Sequence, residues 1–142
     1  MSDCESRLNA TDSHIGIAPH FPVKGLESLV FLHRTALALR PNCSFVPIRK
    51  AGELLGPCFS CKYDYETVNT VEIRRDALIV GNIIILLDAI LVTGRILEAC
   101  VNLVNLSGAR VLSSSVFLGA KDFSARERLR KLDVAVHSFL QI

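Results

Sequence analysis

An aspartate closing an apolar run, with Thr-Gly following before a second apolar stretch, is the arrangement in this chain best suited to chemistry: Leu87-Asp88-Ala89-Ile90-Leu91-Val92-Thr93-Gly94-Arg95-Ile96. In an open parallel sheet, ligands collect beyond the carboxyl ends of the strands, where loop side chains meet the unpaired N–H groups of the next helix. Taken alone, the same residues also suit an ordinary strand-to-helix connection. Arg49-Lys50 offers two cations after the apolar segment Phe45 to Ile48, and by itself reads as a solvated strand end. Glu66 is a carboxylate that could move a proton or sit solvated in a turn. Cys58-Phe59-Ser60-Cys61 supplies two thiols, half of a structural zinc set, and Cys43 and Cys100 have no matching pair spacing. His14, His20, His33 and His137 are isolated and read as surface or packing residues, so the sequence assigns no metal ligand.

These groups need elements to hold them. Ile83 to Leu87 is β-branched and of strand length; with Asn82 and Asp88 bounding it, the run reads as a strand buried on both faces, not as a membrane span. Asp88 to Gly94 is expected to be the loop that follows. Ile96, Leu97, Cys100, Val101, Leu103 and Val104 fall on one broad helical face, and Gly108 is placed to end that helix. Val111 to Leu118 is the next strand. Ser124 and Glu127 have capping-box spacing for a short basic helix through Lys131, and Val134 to Leu140 closes the series as a strand. Strand, loop, helix and strand in this order predict a right-handed βαβ unit, and hence an α/β fold with a parallel sheet flanked by helices. Upstream, Phe45 to Ile48 reads as a strand, Lys62 to Ile73 as a hairpin, and Leu26 to Leu39 as strand, helix or both.

The chain's 142 residues suit one domain, expected over residues 19–142 behind a flexible lead-in over 1–18. A net charge of +2 creates no field that would attract nucleic acid or an anionic membrane. Five scattered cysteines suit reduced thiols, and residues 1–14 mix charged and polar side chains without a signal-peptide core, so the expected location is cytoplasmic.

The segment around Asp88 resembles the phosphoribosyl pyrophosphate signature of type I phosphoribosyltransferases. Phe45-Val46-Pro47-Ile48-Arg49-Lys50-Ala51-Gly52 is similar to the strand and turn with which adenine phosphoribosyltransferases recognise adenine. Leu54-Leu55-Gly56-Pro57, Tyr63 with Glu66, and Glu72 through Leu78 follow in the family's order. Arg126, Leu129 and Val136 to Leu140 resemble its C-terminal end, and Pro19-His20-Phe21-Pro22-Val23-Lys24-Gly25 its Pro-Asp-Phe-Pro opening. The resemblance implies transfer of a phosphoribosyl group to adenine, giving AMP and pyrophosphate, with Mg2+ accompanying the donor and a homodimer as the assembly. It implies that Glu66 assists proton transfer, that Asp88 holds the ribose, and that Thr93 and Gly94 hold the 5′-phosphate. Arg49 and Lys50 would face the purine edge or pyrophosphate, and Tyr63 belongs to the same substrate-binding set.

Four positions depart from the family pattern. Ala89 replaces a second acidic residue, Arg95 a glycine of the phosphate loop, Ile96 a hydroxyl donor, and Thr67 a tyrosine beside the loop glutamate. A side chain at Arg95 is expected to strain a turn built for none. Between Gly25 and Thr35 the family carries further residues, including a core strand and a pyrophosphate loop, which this reading leaves missing. Two functions follow as expectations: an adenine phosphoribosyltransferase of reduced activity, or a non-catalytic homologue that acts as a dimerisation or regulatory partner.

Overall fold

The isoleucine-rich run does become the middle of a sheet. A computed structural model describes residues 13–17, 44–121 and 123–142. Its elements in chain order are β1 (Ser13–Ile17), β2 (Ser44–Pro47), β3 (Arg49–Lys50), β4 (Cys58–Tyr65), β5 (Thr67–Arg74), β6 (Ile83–Leu91), α1 (Arg95–Leu106), β7 (Arg110–Gly119), α2 (Phe123–Arg130) and β8 (Ala135–Gln141). Five strands form one parallel sheet in the order β2-β1-β6-β7-β8. The other three form an antiparallel sheet in the order β3-β5-β4. Successive parallel strands need a crossover, which α1 provides from β6 to β7 and α2 from β7 to β8. Among the described residues, no helix is long and apolar enough to cross a membrane.

Three expectations change. Ser13–Ile17 falls in the stretch read as a lead-in, yet β1 pairs with β2 on one side and β6 on the other. β1 is therefore an interior strand of the sheet. Residues 19–25 and Leu26 to Leu39 lie outside the described residues. Next, β6 does not stop at Leu87: Asp88 stands opposite Val116, Ile90 opposite Leu118 and Leu91 opposite Gly119. The apolar residues after Asp88 keep the ladder running, so the connection to α1 is only residues 92–94. Finally, α2 begins at Phe123, so Ser124 lies within it, and Glu127 pairs with Arg130 at 2.9 Å.

Helix α1 carries the core. Its buried residues Ile96, Leu97, Ala99, Cys100, Val101, Leu103 and Val104 cover more than half its circumference, wider than the stripe a helix needs to cover one sheet. The reason is its position: α1 contacts β6 and β7 on one side and β4 and β5 on the other. Val71 and Ile73 of β5, fully buried, join Ile84 and Leu86 of β6 in the same cluster. The helix ends as expected, with Gly108 at φ +84 and its N–H donating to the Asn105 carbonyl at 3.0 Å. Arg126 ties α2 to β8 by donating to the Val136 carbonyl at 3.1 Å and to Ser138 Oγ at 2.8 Å.

Since Leu103 is fully buried in this doubly covered helix and Leu106 is exposed, truncation should separate them. Leu103→Ala is expected to lower unfolding free energy by about 2–5 kcal/mol, against a change within about 0.5 kcal/mol for Leu106→Ala, both read from urea denaturation midpoints.

Candidate functional site

Asp88 sits on the same face of β6 as Ile84 and Leu86, and like them it is buried, with 6% of its surface exposed. The Ala89 N–H donates to Asp88 Oδ1 at 2.7 Å. A buried carboxylate held by a backbone donor is fixed in orientation, which suits an acceptor for a ligand hydroxyl. Three residues separate β6 from α1. Thr93 Oγ1 accepts from the Arg95 N–H at 3.5 Å, and Gly94 caps the helix in the left-handed conformation, φ +73.

Gly94 is required here on two grounds. Left-handed backbone disfavours any residue with a Cβ, and a Cβ on Gly94 would stand 3.1 Å from the backbone of Ala125 in α2. The first intrahelical bond of α1 runs from the Glu98 N–H to the Gly94 carbonyl at 2.9 Å. Helix geometry therefore leaves the N–H groups of Ile96 and Leu97 without intrahelical acceptors. These residues line one cleft with Asp88, Thr93 and Gly94. The enclosed space between them, about 10 Å3, is the size of one water, and the groups around it offer a carboxylate acceptor and the backbone donors of a helix N-terminus.

The antiparallel sheet brings a second set of groups. Tyr63 of β4 is half-buried; burial raises its phenol pKa most, with the charges of Cys100 and Asp88 adding to the shift. The tyrosine thus lies within the field of the buried aspartate. Glu66 alone forms the turn between Tyr65 and Thr67, which pair with each other, and has φ +57. Glu66 and Thr67 are both exposed. The hairpin meets the cleft through Arg95, whose Nη1 donates to the Asp64 carbonyl at 2.9 Å.

Arg95 lies at the first helical position and is not left-handed; that conformation falls on Gly94. The expected strain is absent because the arginine begins the helix and its side chain leaves the turn. It lines a groove of about 220 Å3 with Lys62, Tyr63, Asp64, Glu98 and Arg128. Ile96 is buried, so the residue replacing a hydroxyl donor serves the core instead. Ala89 is half-buried, and strand alternation puts it on the face opposite Asp88.

Arg49 and Lys50 lie on β3, the edge of the antiparallel sheet farther from α1, and Arg49 Nε donates to Glu53 at 2.8 Å. Asp88, Thr93, Gly94 and Ile96 are thus gathered in one cleft, with Tyr63 and Glu66 on the adjoining hairpin. Arg49 and Lys50 belong to a separate strand. Sequence reasoning missed Ala125, which forces the glycine, and the Arg128–Glu98 ion pair at 2.9 Å. Neither has a local signal, since each joins α2 to the start of α1.

The two-cysteine motif does not build a metal site. Cys58 and Cys61 are three apart in β4 and so face opposite sides of the sheet. Among the described residues, no group of three or more His, Cys, Asp or Glu is placed to hold a metal ion. Burial raises the Cys61 thiol pKa, and Glu98 raises it further. Because the thiolate is the reactive form, Cys61 is expected to alkylate with iodoacetamide more slowly at pH 8 than an exposed thiol. Glu98→Gln should shift its rate–pH midpoint downward without restoring it fully, as peptide mass mapping would show.

No family model matches the chain. It is 33% identical over 120 residues to the adenine phosphoribosyltransferase of Colwellia psychrerythraea, covering 84% of this chain and 66% of that one. It is 35% identical over 116 residues to that of Rhodospirillum centenum, covering 80% of this chain and 68% of the relative. It therefore spans about two thirds of the length of the curated relatives it matches. Among solved structures, adenine phosphoribosyltransferase from Thermoanaerobacter pseudethanolicus superposes with a TM-score of 0.79 at 26% identity, over 98% of this chain and 76% of the other. The Saccharomyces cerevisiae enzyme, solved with an imino-altritol bisphosphate and adenine, gives 0.76 at 28% identity, over 94% and 71%.

Proposed function

The chain belongs to the adenine phosphoribosyltransferase family, and from that premise we propose that it transfers a phosphoribosyl group to adenine, releasing pyrophosphate and AMP, at reduced turnover. One observation carries the reading: the buried Asp88 shares a cleft with Thr93, Gly94 and the open N-terminus of α1. In this reading Asp88 accepts from the ribose hydroxyls, while Thr93 and the amides following Gly94 hold the 5′-phosphate. The fixed geometry orients the sugar, so that its anomeric carbon faces the incoming base without a search over conformations.

Glu66 takes the role of proton-transfer group at adenine, in keeping with its exposed place at the hairpin turn. Tyr63 covers the base from the same hairpin. Arg49 and Lys50, on β3, take the purine edge or pyrophosphate. The reduced turnover follows from the departures from the family pattern. Ala89 and Ile96 supply no hydrogen-bonding side chain where the family pattern has one, and a hydrogen bond to a charged group is worth about 1.5–3 kcal/mol.

Magnesium fits a site of this kind only together with the sugar donor. Asp88 is the carboxylate of the cleft, and the ion is commonly held by one or two carboxylates with substrate oxygens completing its shell. When bound, it would neutralise charge on the departing pyrophosphate. The free thiols Cys58, Cys61 and Cys100 suit a reducing compartment, so the same reading places the chain in the cytoplasm as a homodimer. Sedimentation should then give a mass near twice 15.6 kDa; a monomer at micromolar concentration contradicts the assembly.

The activity is tested by AMP formation from adenine and phosphoribosyl pyrophosphate with Mg2+. Slow formation is expected, reduced about ten- to a hundredfold or more in Asp88→Asn and raised in Ala89→Asp. Absence of AMP from both the wild-type chain and Ala89→Asp overturns the proposal.

A further inference from the structure

The proposed reaction needs the hairpin that carries Glu66 to be held near the sugar-phosphate cleft, and three successive residues at its tip face solvent. Glu66, Thr67 and Val68 are all exposed, with Val68 at 67%. Deeper in the same sheet, Val71 and Ile73 are fully buried. The hairpin is therefore anchored at its base, and a polar contact near its exposed end can add to that anchorage.

Arg95 makes such a contact. Its Nη1 donates to the carbonyl of Asp64, two residues before Glu66 and 31 residues before Arg95 in sequence. The donor is the first residue of α1, beside the Gly94 cap, so the bond joins the two parts of the proposed site directly. The guanidinium is well placed for this and poorly placed for a purely helical role. A cation at a helix N-terminus opposes the macrodipole, and extending toward Asp64 carries the charge away from it. Around the groove, Lys62 and Arg128 are the like charges, and Asp64 and Glu98 the opposite ones. Glu98 is already paired with Arg128 at 2.9 Å.

We infer that Arg95 is a positioning residue: it latches the β4–β5 hairpin onto the start of α1 and so sets where Glu66 stands relative to Asp88, Thr93 and Gly94. Arginine at this position exchanges the openness of a glycine loop for a fixed hairpin. The catalytic consequence rests on the proposed transferase reading, whereas the latch itself does not.

Hydrogen exchange followed by mass spectrometry on the full chain separates the two. In Arg95→Ala, the amides of residues 63–69 should exchange about threefold to tenfold faster, as expected for loss of one partly exposed charge-assisted bond. The amides of Ile84, Leu86 and Val101 should be unchanged. Arg95→Lys, which keeps a charged donor, should recover part of the hairpin protection. Unchanged hairpin exchange in Arg95→Ala, or equal acceleration throughout the β6 and α1 amides, overturns the latch. If the alanine variant is poorly folded, Arg95→Met, which keeps the aliphatic stem and lacks a donor, decides: loss of hairpin protection with a well-folded core supports the latch, and wild-type protection overturns it. With AMP formation as a second readout, Arg95→Ala should lower kcat more than it changes the KM for adenine. Selective hairpin exchange without AMP formation by any variant leaves the latch standing and removes the transferase reading.

Discussion

The turn at Gly94 sets the rest of this structure. The chain must leave a buried parallel strand and begin a helix within three residues, residues 92–94. It does so through a left-handed glycine whose missing Cβ leaves room for the backbone of Ala125. This close approach lets α1 and α2 pack side by side over the sheet. It also fixes the helix N-terminus beside Asp88. A side chain at Gly94 would push α2 away from α1, and with it Arg126, which joins α2 to the edge strand β8. The cleft and the core thus depend on the same contact.

Once α1 begins there, its burial on two sides follows from the chain's layers. The parallel sheet covers one side through β6 and β7, and the antiparallel sheet covers the other through β4 and β5. The second layer brings Tyr63 into the field of Asp88 and meets the start of α1 through Asp64 and Arg95. It also explains why Ile96 is acceptable at the helix start. With apolar surface on both sides, a buried isoleucine stabilises this position where a hydroxyl would need a partner.

The departures from the family pattern therefore have different physical consequences. Ala89 and Ile96 supply no hydrogen-bonding side chain where the family pattern has one. Arg95 removes no donor from the backbone and introduces no left-handed strain. Its charge at the helix start would act on a bound phosphate at longer range, while its fork engages the hairpin. Glu66 in a left-handed turn is a further local cost, since a non-glycine residue rarely adopts that conformation.

Much of the fold was legible because the signals were local. The β-branched run at Ile83, the apolar face of α1 and Gly108 after it each reflect a periodicity or backbone preference that neighbouring residues determine. The family resemblance likewise came from ordered short motifs, and Asp88, Thr93 and Gly94 did share a cleft. The extent of β6 was not legible, because Asp88 looked like a strand end until pairing with β7 carried the ladder on to Leu91. Ser13–Ile17 is too short and too plain to declare itself a strand; two flanking strands give it that role. The two cysteines in Cys-x-x-Cys were a local pattern that the strand β4 set on opposite faces. Sequence alone determined the strand that starts at Ile83, the helix α1 and which residues could do chemistry, since propensity and periodicity act along the chain. Tertiary structure decided that Gly94 must be bare, that Arg95 reaches the hairpin and that Arg49 and Lys50 stand on a separate strand, because those facts depend on contacts between residues distant in sequence.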